Sequence, residues 1–340
     1  MHYNLKHTIS LAALLMAIAT CFNPSAHAVA PFPYPIVPDT IATLTGRADY
    51  YVTHFWDKAD MKRIFSNRQN VKDALGDYFA MMPHAQRDIA TQSIESLLGR
   101  LSKQPKDLAF MAEAAQSMIY SDTAVFWSDE LMLPFAVAAA KNKKVDEGTR
   151  LRMQRIASIL QNNQPGRSAP NPEMTLLDGT KANVYTPDDN LTYQVLFFND
   201  PECTECNMAR VKLDADYLTS RLINAGIVKI ISIYPGEMDD EFKRTADRFP
   251  KTWDIGANPD VDLIYVLRTP PCFYLLPGQG SIVTKHIPVD HILAIPSRLL
   301  HFKAQPSVST QPHTAPAVPS VDVAANPNLN HTASYILSTA

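Results

Sequence analysis

Glycine and cysteine are scarce in this chain of 340 residues, which has 11 glycines and four cysteines against 26 prolines. Few glycines and many prolines favour helices that are joined by stiff turns. Positive charge is not in excess either, because the formal net charge is −3. Proteins that bind nucleic acid need a surplus of Lys and Arg against the phosphates, so we expect no nucleic-acid partner.

The chain does contain enough apolar side chain for a sizeable core, since 46% of its residues are hydrophobic and 19% are charged. At roughly 150 residues per domain, its length suits two domains. We predict a signal peptide over residues 1–28, an all-helical domain over 29–163, an α/β domain over 164–303 and a disordered tail over 304–340. The tail is rich in Pro, Ser, Thr and Ala and has almost no charge, so it cannot bury enough apolar surface to become ordered.

The amino terminus has the pattern of a secretory signal peptide. Lys6 precedes an apolar run over residues 9–20, and the small-x-small sequence Ala26-His27-Ala28 follows. The run is shorter than the ~20 residues that cross a bilayer. We therefore expect an exported, periplasmic protein with no transmembrane segment in the mature chain. A lipoprotein anchored through Cys21 is the alternative, although Thr20 is an awkward residue before a lipidated cysteine.

Residues 41–163 have the periodicity of amphipathic helices throughout. Leu108, Met111, Ala112 and Ala115, for example, follow the i, i+3, i+4, i+7 spacing that places apolar side chains on one helix face. We predict six or seven helices, one of them capped by Asp146. Nothing in this segment resembles a catalytic constellation.

After a linker over residues 162–171, the apolar pattern changes to that of strands. Residues 193–199 and 228–234 are nearly continuous in apolar side chains, as the buried strands of parallel sheets are, and a helix is predicted between them over 203–225. Residues 272–276 form a third predicted strand, which pairs with 281–286 through a turn. This order predicts an α/β domain with a mixed central sheet.

Cys203 and Cys206 are separated by two residues where the predicted helix begins, shortly after a buried strand. The unpaired N–H groups and the positive end of the helix dipole stabilise a thiolate at such a position. Cys203 is the predicted nucleophile, and Cys206, about one turn into the helix, is predicted to resolve the mixed disulfide. A redox-active Cys203–Cys206 disulfide requires no further cofactor, and we expect none.

Metal binding is the main alternative chemistry for a C-x-x-C pair. A structural zinc ion needs four ligands, and beyond the pair the mature chain offers only Cys272 and scattered histidines. A Cu(I) ion held by the two thiolates remains a second alternative. We expect no resident metal.

The segments QVLFFNDPECTEC and LRTPPCFYLLPGQGSIV resemble the exported TlpA-like branch of the thioredoxin superfamily, and the resemblance covers about residues 166–302. It implies a thioredoxin-like fold and a cis-proline loop that faces the cysteine pair. Pro271 is then the cis residue, Pro270 its predecessor, and both bind substrate. The implied partners are protein thiols or disulfides and an unidentified electron donor. Residues 41–163 are similar to an uncharacterised domain that precedes thioredoxin-like domains in other exported bacterial proteins.

The chain departs from thioredoxin around the cysteines. Thioredoxin has an aromatic residue before the first cysteine and Gly-Pro between the two, whereas this chain has Glu202 and Thr204-Glu205. We expect Glu202 and Glu205 to disfavour the thiolate and to give a comparatively reducing disulfide. Cys272, which directly follows Pro271, is interpreted as a small core residue. The alternative is a third thiol that exchanges with Cys203.

Two functional hypotheses follow from these features. In the first, the protein is a thiol–disulfide oxidoreductase, either a reductase or an isomerase, that acts through the cysteine pair. In the second, it is a non-catalytic binding module in which the helical domain recognises a partner and the thioredoxin-like domain is a scaffold. Removal of both cysteines would abolish function in the first and leave partner binding intact in the second.

Overall fold

The computed structural model describes residues 30–124 and 126–304, with side chains up to residue 297. The predicted signal peptide, Cys21 and the predicted tail beyond Ala304 lie outside the described residues. The chain divides into two compact units, and the boundary falls between Arg150 and Leu151.

The first unit is all-helical in its described part, as the sequence predicts. Seven α-helices and one short 3₁₀ helix follow one another, the last α-helix continuing into the second unit: α1 Leu44–His54, α2 Met61–Phe65, α3 Arg68–Met81, the 3₁₀ helix Met82–His84, α4 Arg87–Leu101, α5 Pro105–Ile119, α6 Asp129–Lys141 and α7 Glu147–Asn162. The predicted apolar face of α5 is buried at Leu108, Met111, Ala112 and Ala115. The predicted cap of α7 is confirmed, because Asp146 Oδ1 accepts a hydrogen bond of 2.9 Å from the backbone N–H of Thr149.

The second unit is a mixed seven-stranded sheet with helices. Its elements are β1 Glu173–Leu176, β2 Lys181–Asn183, β3 Tyr193–Phe198, α8 Thr204–Ala215, α9 Tyr217–Asn224, β4 Val228–Tyr234, α10 Asp240–Ala246, β5 Asp254–Ala257, β6 Cys272–Pro277, β7 Thr284–Lys285 and α11 Val289–Ala304. The strand order is β2-β1-β5-β4-β3-β6-β7. The β3–β4 and β4–β5 pairs are parallel, whereas the other neighbours are antiparallel. The predicted mixed sheet and the pairing of the last two strands are confirmed.

The central strand β3 is buried along its whole length, between β4 and β6. Because successive side chains of a strand point to opposite faces, β3 contributes to two cores. Val195 and Phe197 belong to one apolar cluster, and Leu196 and Phe198 belong to the cluster on the other face of the sheet. This explains why the strand reads as a continuous apolar run rather than an alternating one.

The prediction of one helix over residues 203–225 is wrong, because the structure has two helices separated by Asp216. The backbone of Asp216 is extended (φ −75°, ψ 112°), and its Oδ2 accepts a hydrogen bond of 2.7 Å from the N–H of Thr219. An aspartate that bonds to nearby backbone in this way favours the start of a helix over its interior. The short strands β2 and β5 were not predicted.

Candidate active site

The carboxyl end of β3 leads directly to the cysteine pair. Asn199, which follows the strand and is 1% exposed, donates from Nδ2 to the hydroxyl of Ser232 on β4 at 2.8 Å. The chain then turns, and the N–H of Cys203 donates to the carbonyl oxygen of Asp200 at 3.1 Å. Asn207 closes the turn by donating to the carbonyl oxygen of Pro201 at 3.0 Å. The site is thus built on two neighbouring strand ends.

Cys203 caps the amino terminus of α8 with its sulfur. Its Sγ accepts a hydrogen bond of 3.1 Å from the N–H of Cys206, and the two cysteines are joined in a disulfide with a Cα–Cα distance of 5.2 Å. Cys203 is partly exposed, whereas Cys206 lies beneath it and is 2% exposed. This is the arrangement predicted for an accessible attacking thiol and a shielded resolving thiol.

A loop over residues 267–271, called the proline loop below, faces the pair. The Pro270–Pro271 peptide bond is cis, as the family resemblance implies. The carbonyl oxygen of Pro270 lies 3.6 Å from the Sγ of Cys203. The antiparallel pairing of β3 with β6, in which Phe198 is opposite Cys272, brings the loop to this end of the sheet.

An acidic side chain lies beside the partly exposed sulfur. A carboxylate oxygen of Glu205 lies 3.9 Å from the Sγ of Cys203. Burial, followed by the carboxylates of Asp200, Asp239, Glu202 and Glu241, raises the pKa of Tyr234 at the end of β4. The carboxylate of Glu205 opposes negative charge on the sulfur, in competition with the helix terminus.

Cys272 lies on the other face of the sheet from the cysteine pair. It belongs to the core cluster that contains Phe198 and Tyr274, whereas Cys206 belongs to the cluster on the opposite face. Its Sγ is 3.9 Å from the carbonyl oxygen of Val266. This placement favours the interpretation of Cys272 as a small apolar core residue.

Sequence reasoning missed two residues that support the site, and an exposed apolar pair on the helix of the cysteines. Asn199 and Asn207 are neither charged nor part of the C-x-x-C motif, and their partners on Ser232 and Pro201 are visible only in the fold. Two apolar side chains on α8, Met208 and Val211, are more than half exposed. Their i, i+3 spacing could have been read from the sequence.

Within residues 30–124 and 126–304, no three His, Cys, Asp or Glu side chains come together as a potential metal site. None of the helices in these ranges combines the length and the apolar character that a bilayer span requires.

Comparisons with known proteins give a family match and several similar folds. Residues 11–163 match the family described as a domain of unknown function, DUF5106. A thioredoxin-like protein from Bacteroides caccae is similar in fold, with a TM-score of 0.66 and 24% identity over 78% of this chain and 98% of that one. No curated protein matches the chain.

Two further solved structures match the chain over a smaller part. The thioredoxin domain of a thiol-disulfide oxidoreductase from Bacteroides vulgatus is 18% identical over 40% of this chain and 97% of that one, with a TM-score of 0.35. A thiol-disulfide oxidoreductase from Bacteroides fragilis is 21% identical over 40% of this chain and 99% of that one, with a TM-score of 0.33. The described chain therefore has a helical region that matches a domain of unknown function, followed by a domain of thioredoxin-like fold.

Proposed function

We propose that this protein is an extracytoplasmic thiol–disulfide oxidoreductase that exchanges disulfides with protein substrates through Cys203 and Cys206. One observation carries the proposal: a partly exposed cysteine caps a helix, with a buried cysteine one turn behind it and within bonding distance. Export rests on the signal-like residues 1–28, which lead us to place the protein in the periplasm. Its partners are then protein disulfides and an electron donor of unidentified nature.

The reaction consists of two exchange steps. In the reduced protein, the thiolate of Cys203 attacks one sulfur of a substrate disulfide, and the other substrate sulfur leaves as a thiolate that takes a proton from water. The thiolate of Cys206 then attacks the Sγ of Cys203 and releases the second substrate thiol. The substrate gains two electrons, and the Cys203–Cys206 pair becomes a disulfide. A dithiol donor returns the pair to the reduced state, so no separate cofactor is needed.

The charges around Cys203 support a reducing rather than an oxidising role. Glu205 at 3.9 Å and the carbonyl oxygen of Pro270 at 3.6 Å both direct negative charge at the sulfur. They destabilise the thiolate, and therefore the reduced protein, relative to the uncharged disulfide. We expect a reduction potential closer to the roughly −270 mV of thioredoxin than to the roughly −120 mV of a strong oxidant.

The test is to equilibrate the mature protein in thiol buffers of graded potential and to count alkylated cysteines. We expect one reversible two-electron transition, which disappears in Cys203→Ser and persists in the control Cys272→Ala. Cysteines that remain alkylatable across the whole range would refute the proposal. A transition near −120 mV would refute only the reducing direction.

A second candidate is a binding module based on the helical region. The feature that favours it is an open cavity of about 920 Å³ in the first unit, whose lining includes Leu98, Leu108 and Val137 together with Lys141, Lys143 and Lys144. Most small-molecule sites are concave and largely apolar in this way. If a partner isolated with the protein still binds the double variant Cys203→Ser/Cys206→Ser, the binding-module function gains support.

A further inference from the structure

A buried hydrogen-bond network holds Val266, the residue that directly precedes the proline loop. The N–H of Val266 donates to the hydroxyl of Tyr274 at 3.0 Å, and its carbonyl oxygen accepts from the same hydroxyl at 3.0 Å. The Nε2 of His286 lies 2.7 Å from the same carbonyl oxygen. Val266 is 1% exposed and Tyr274 is fully buried, so water does not compete for the two bonds between them.

Asn163 extends the network to the end of α7. This side chain is fully buried, and its Nδ2 donates to the carbonyl oxygens of Ile159 and Ile264, both at 2.8 Å. Its Oδ1 accepts from the hydroxyl of Tyr274 at 3.1 Å. The hydroxyl has one hydrogen, which it can offer either to Asn163 or to Val266. The segment that leads into the proline loop is therefore held at Ile264 by Asn163 and at Val266 by Tyr274.

The backbone of His286 adopts an uncommon conformation where its ring contacts Val266. His286 has φ 57°, in the left-handed region that is uncommon for residues other than glycine. Such a conformation persists only where surrounding contacts compensate for it, and it is found preferentially at functional sites. Because a carbonyl oxygen can only accept, the Nε2 of His286 carries the hydrogen in this contact.

We propose that Tyr274, His286 and Asn163 are positioning residues that fix the proline loop relative to Cys203; this inference rests on the proposed function. Val266 stands four residues before Pro270, whose carbonyl oxygen is 3.6 Å from the Sγ of Cys203. The loop is anchored on its other side by β6, which starts at Cys272. Release of Val266 would therefore let the loop move against the sulfur and against a substrate bound beside it.

Tyr274→Phe tests the proposal, with Tyr185→Phe as its matched control. Both tyrosines are buried in the same core cluster, but the hydroxyl of Tyr185 donates to the carbonyl oxygen of Ala169 at 2.9 Å, outside the network. We expect Tyr274→Phe to raise the KM for reduction of a disulfide-containing peptide at least fivefold with little change in kcat. It should also change the rate at which iodoacetamide alkylates Cys203 in the reduced protein. Tyr185→Phe should alter neither quantity, even where it lowers the melting temperature by the same amount.

Equal KM values and equal alkylation rates in the two variants would overturn the positioning role. A wild-type protein that reduces no disulfide would instead overturn the proposed function, and the alkylation rate of Cys203 would still test the position of the loop. If Tyr274→Phe fails to fold, His286→Gly is the second variant, because glycine adopts the same backbone conformation without strain. A wild-type KM and alkylation rate in His286→Gly would then overturn the proposal.

Discussion

At the scale of single residues, the reactivity of Cys203 depends on groups of opposite polarity. The N–H of Cys206 at 3.1 Å favours negative charge on the sulfur, whereas the carboxylate of Glu205 at 3.9 Å opposes it. A hydrogen bond to a charged group contributes about 1.5–3 kcal/mol. A full charge about 4 Å away contributes about 1 kcal/mol in water and more beside protein. The two effects are of similar size, so removal of either should be measurable.

We expect Glu205→Gln to accelerate alkylation of Cys203 about threefold at neutral pH and low salt. The reason is that the substitution removes a negative charge 3.9 Å from the sulfur, and the effect is reduced because Glu205 is exposed to solvent. The acceleration should shrink in 1 M salt, where the screening length is about 3 Å. Glu241→Gln, on α10, is the control and should leave the rate nearly unchanged. Equal rates for the two variants would contradict the role assigned to Glu205.

At the scale of elements, the break at Asp216 defines how α8 ends. The sulfur of Cys203 caps the first turn of α8, and Asp216 both ends this helix and caps α9. The C-x-x-C helix is therefore only 12 residues long. Its apolar side chains Ala209 and Leu213 continue the buried face that Cys206 begins. The buried position of the resolving cysteine thus follows from its place on this helix face.

Asp216→Ala should lower the free energy of unfolding by about 1 kcal/mol, because the N–H of Thr219 loses its side-chain acceptor. Urea unfolding followed by circular dichroism measures this difference. Asp214→Ala is the matched control, since it removes an exposed carboxylate near the end of α8, where negative charge opposes the helix dipole. We expect that variant to be neutral or slightly more stable. If the two variants had the same stability, the capping role of Asp216 would be wrong.

At the scale of the whole molecule, the sheet of the second unit separates the Cys203–Cys206 pair from Cys272. β6 directs Phe273 and Leu275 to the face of the cysteine pair, and Cys272, Tyr274 and Leu276 to the other face. A one-residue shift of this strand would exchange the two sets of side chains. The register of β6 against β3, with Phe198 opposite Cys272, therefore determines which cysteine faces the site.

We expect Cys272→Ala to retain the two-electron transition at an unchanged potential and to lower stability by about 1 kcal/mol, as the loss of a small buried group does. In the folded, reduced wild-type protein, mass spectrometry of alkylated peptides should show modification of Cys203 well before Cys272. A potential that shifts in Cys272→Ala, or rapid modification of Cys272, would favour the third-thiol interpretation.

Much of the fold could be predicted because its signals are local. The apolar face of α5, the cap at Asp146, the buried strands β3 and β4 and the position of Cys203 at a strand–helix boundary all depend on residues within one or two helical turns of each other. Strands β2 and β5 were missed because they have three and four residues and form by pairing with neighbours that are distant in sequence. The domain boundaries predicted from composition remain predictions.

The sequence by itself therefore determined the helical character of the first unit, the buried strands β3 and β4, the thioredoxin-like class of the second unit and the cysteine pair with its neighbouring carboxylates. The tertiary structure decided which groups meet at the site. It placed the carbonyl oxygen of Pro270 beside Cys203, 67 residues away, and Asn163 beside Tyr274, 111 residues away. It also put Cys272 on the opposite face. Such contacts follow from strand register and chain closure, which no local pattern encodes, because each depends on the whole sheet being assembled.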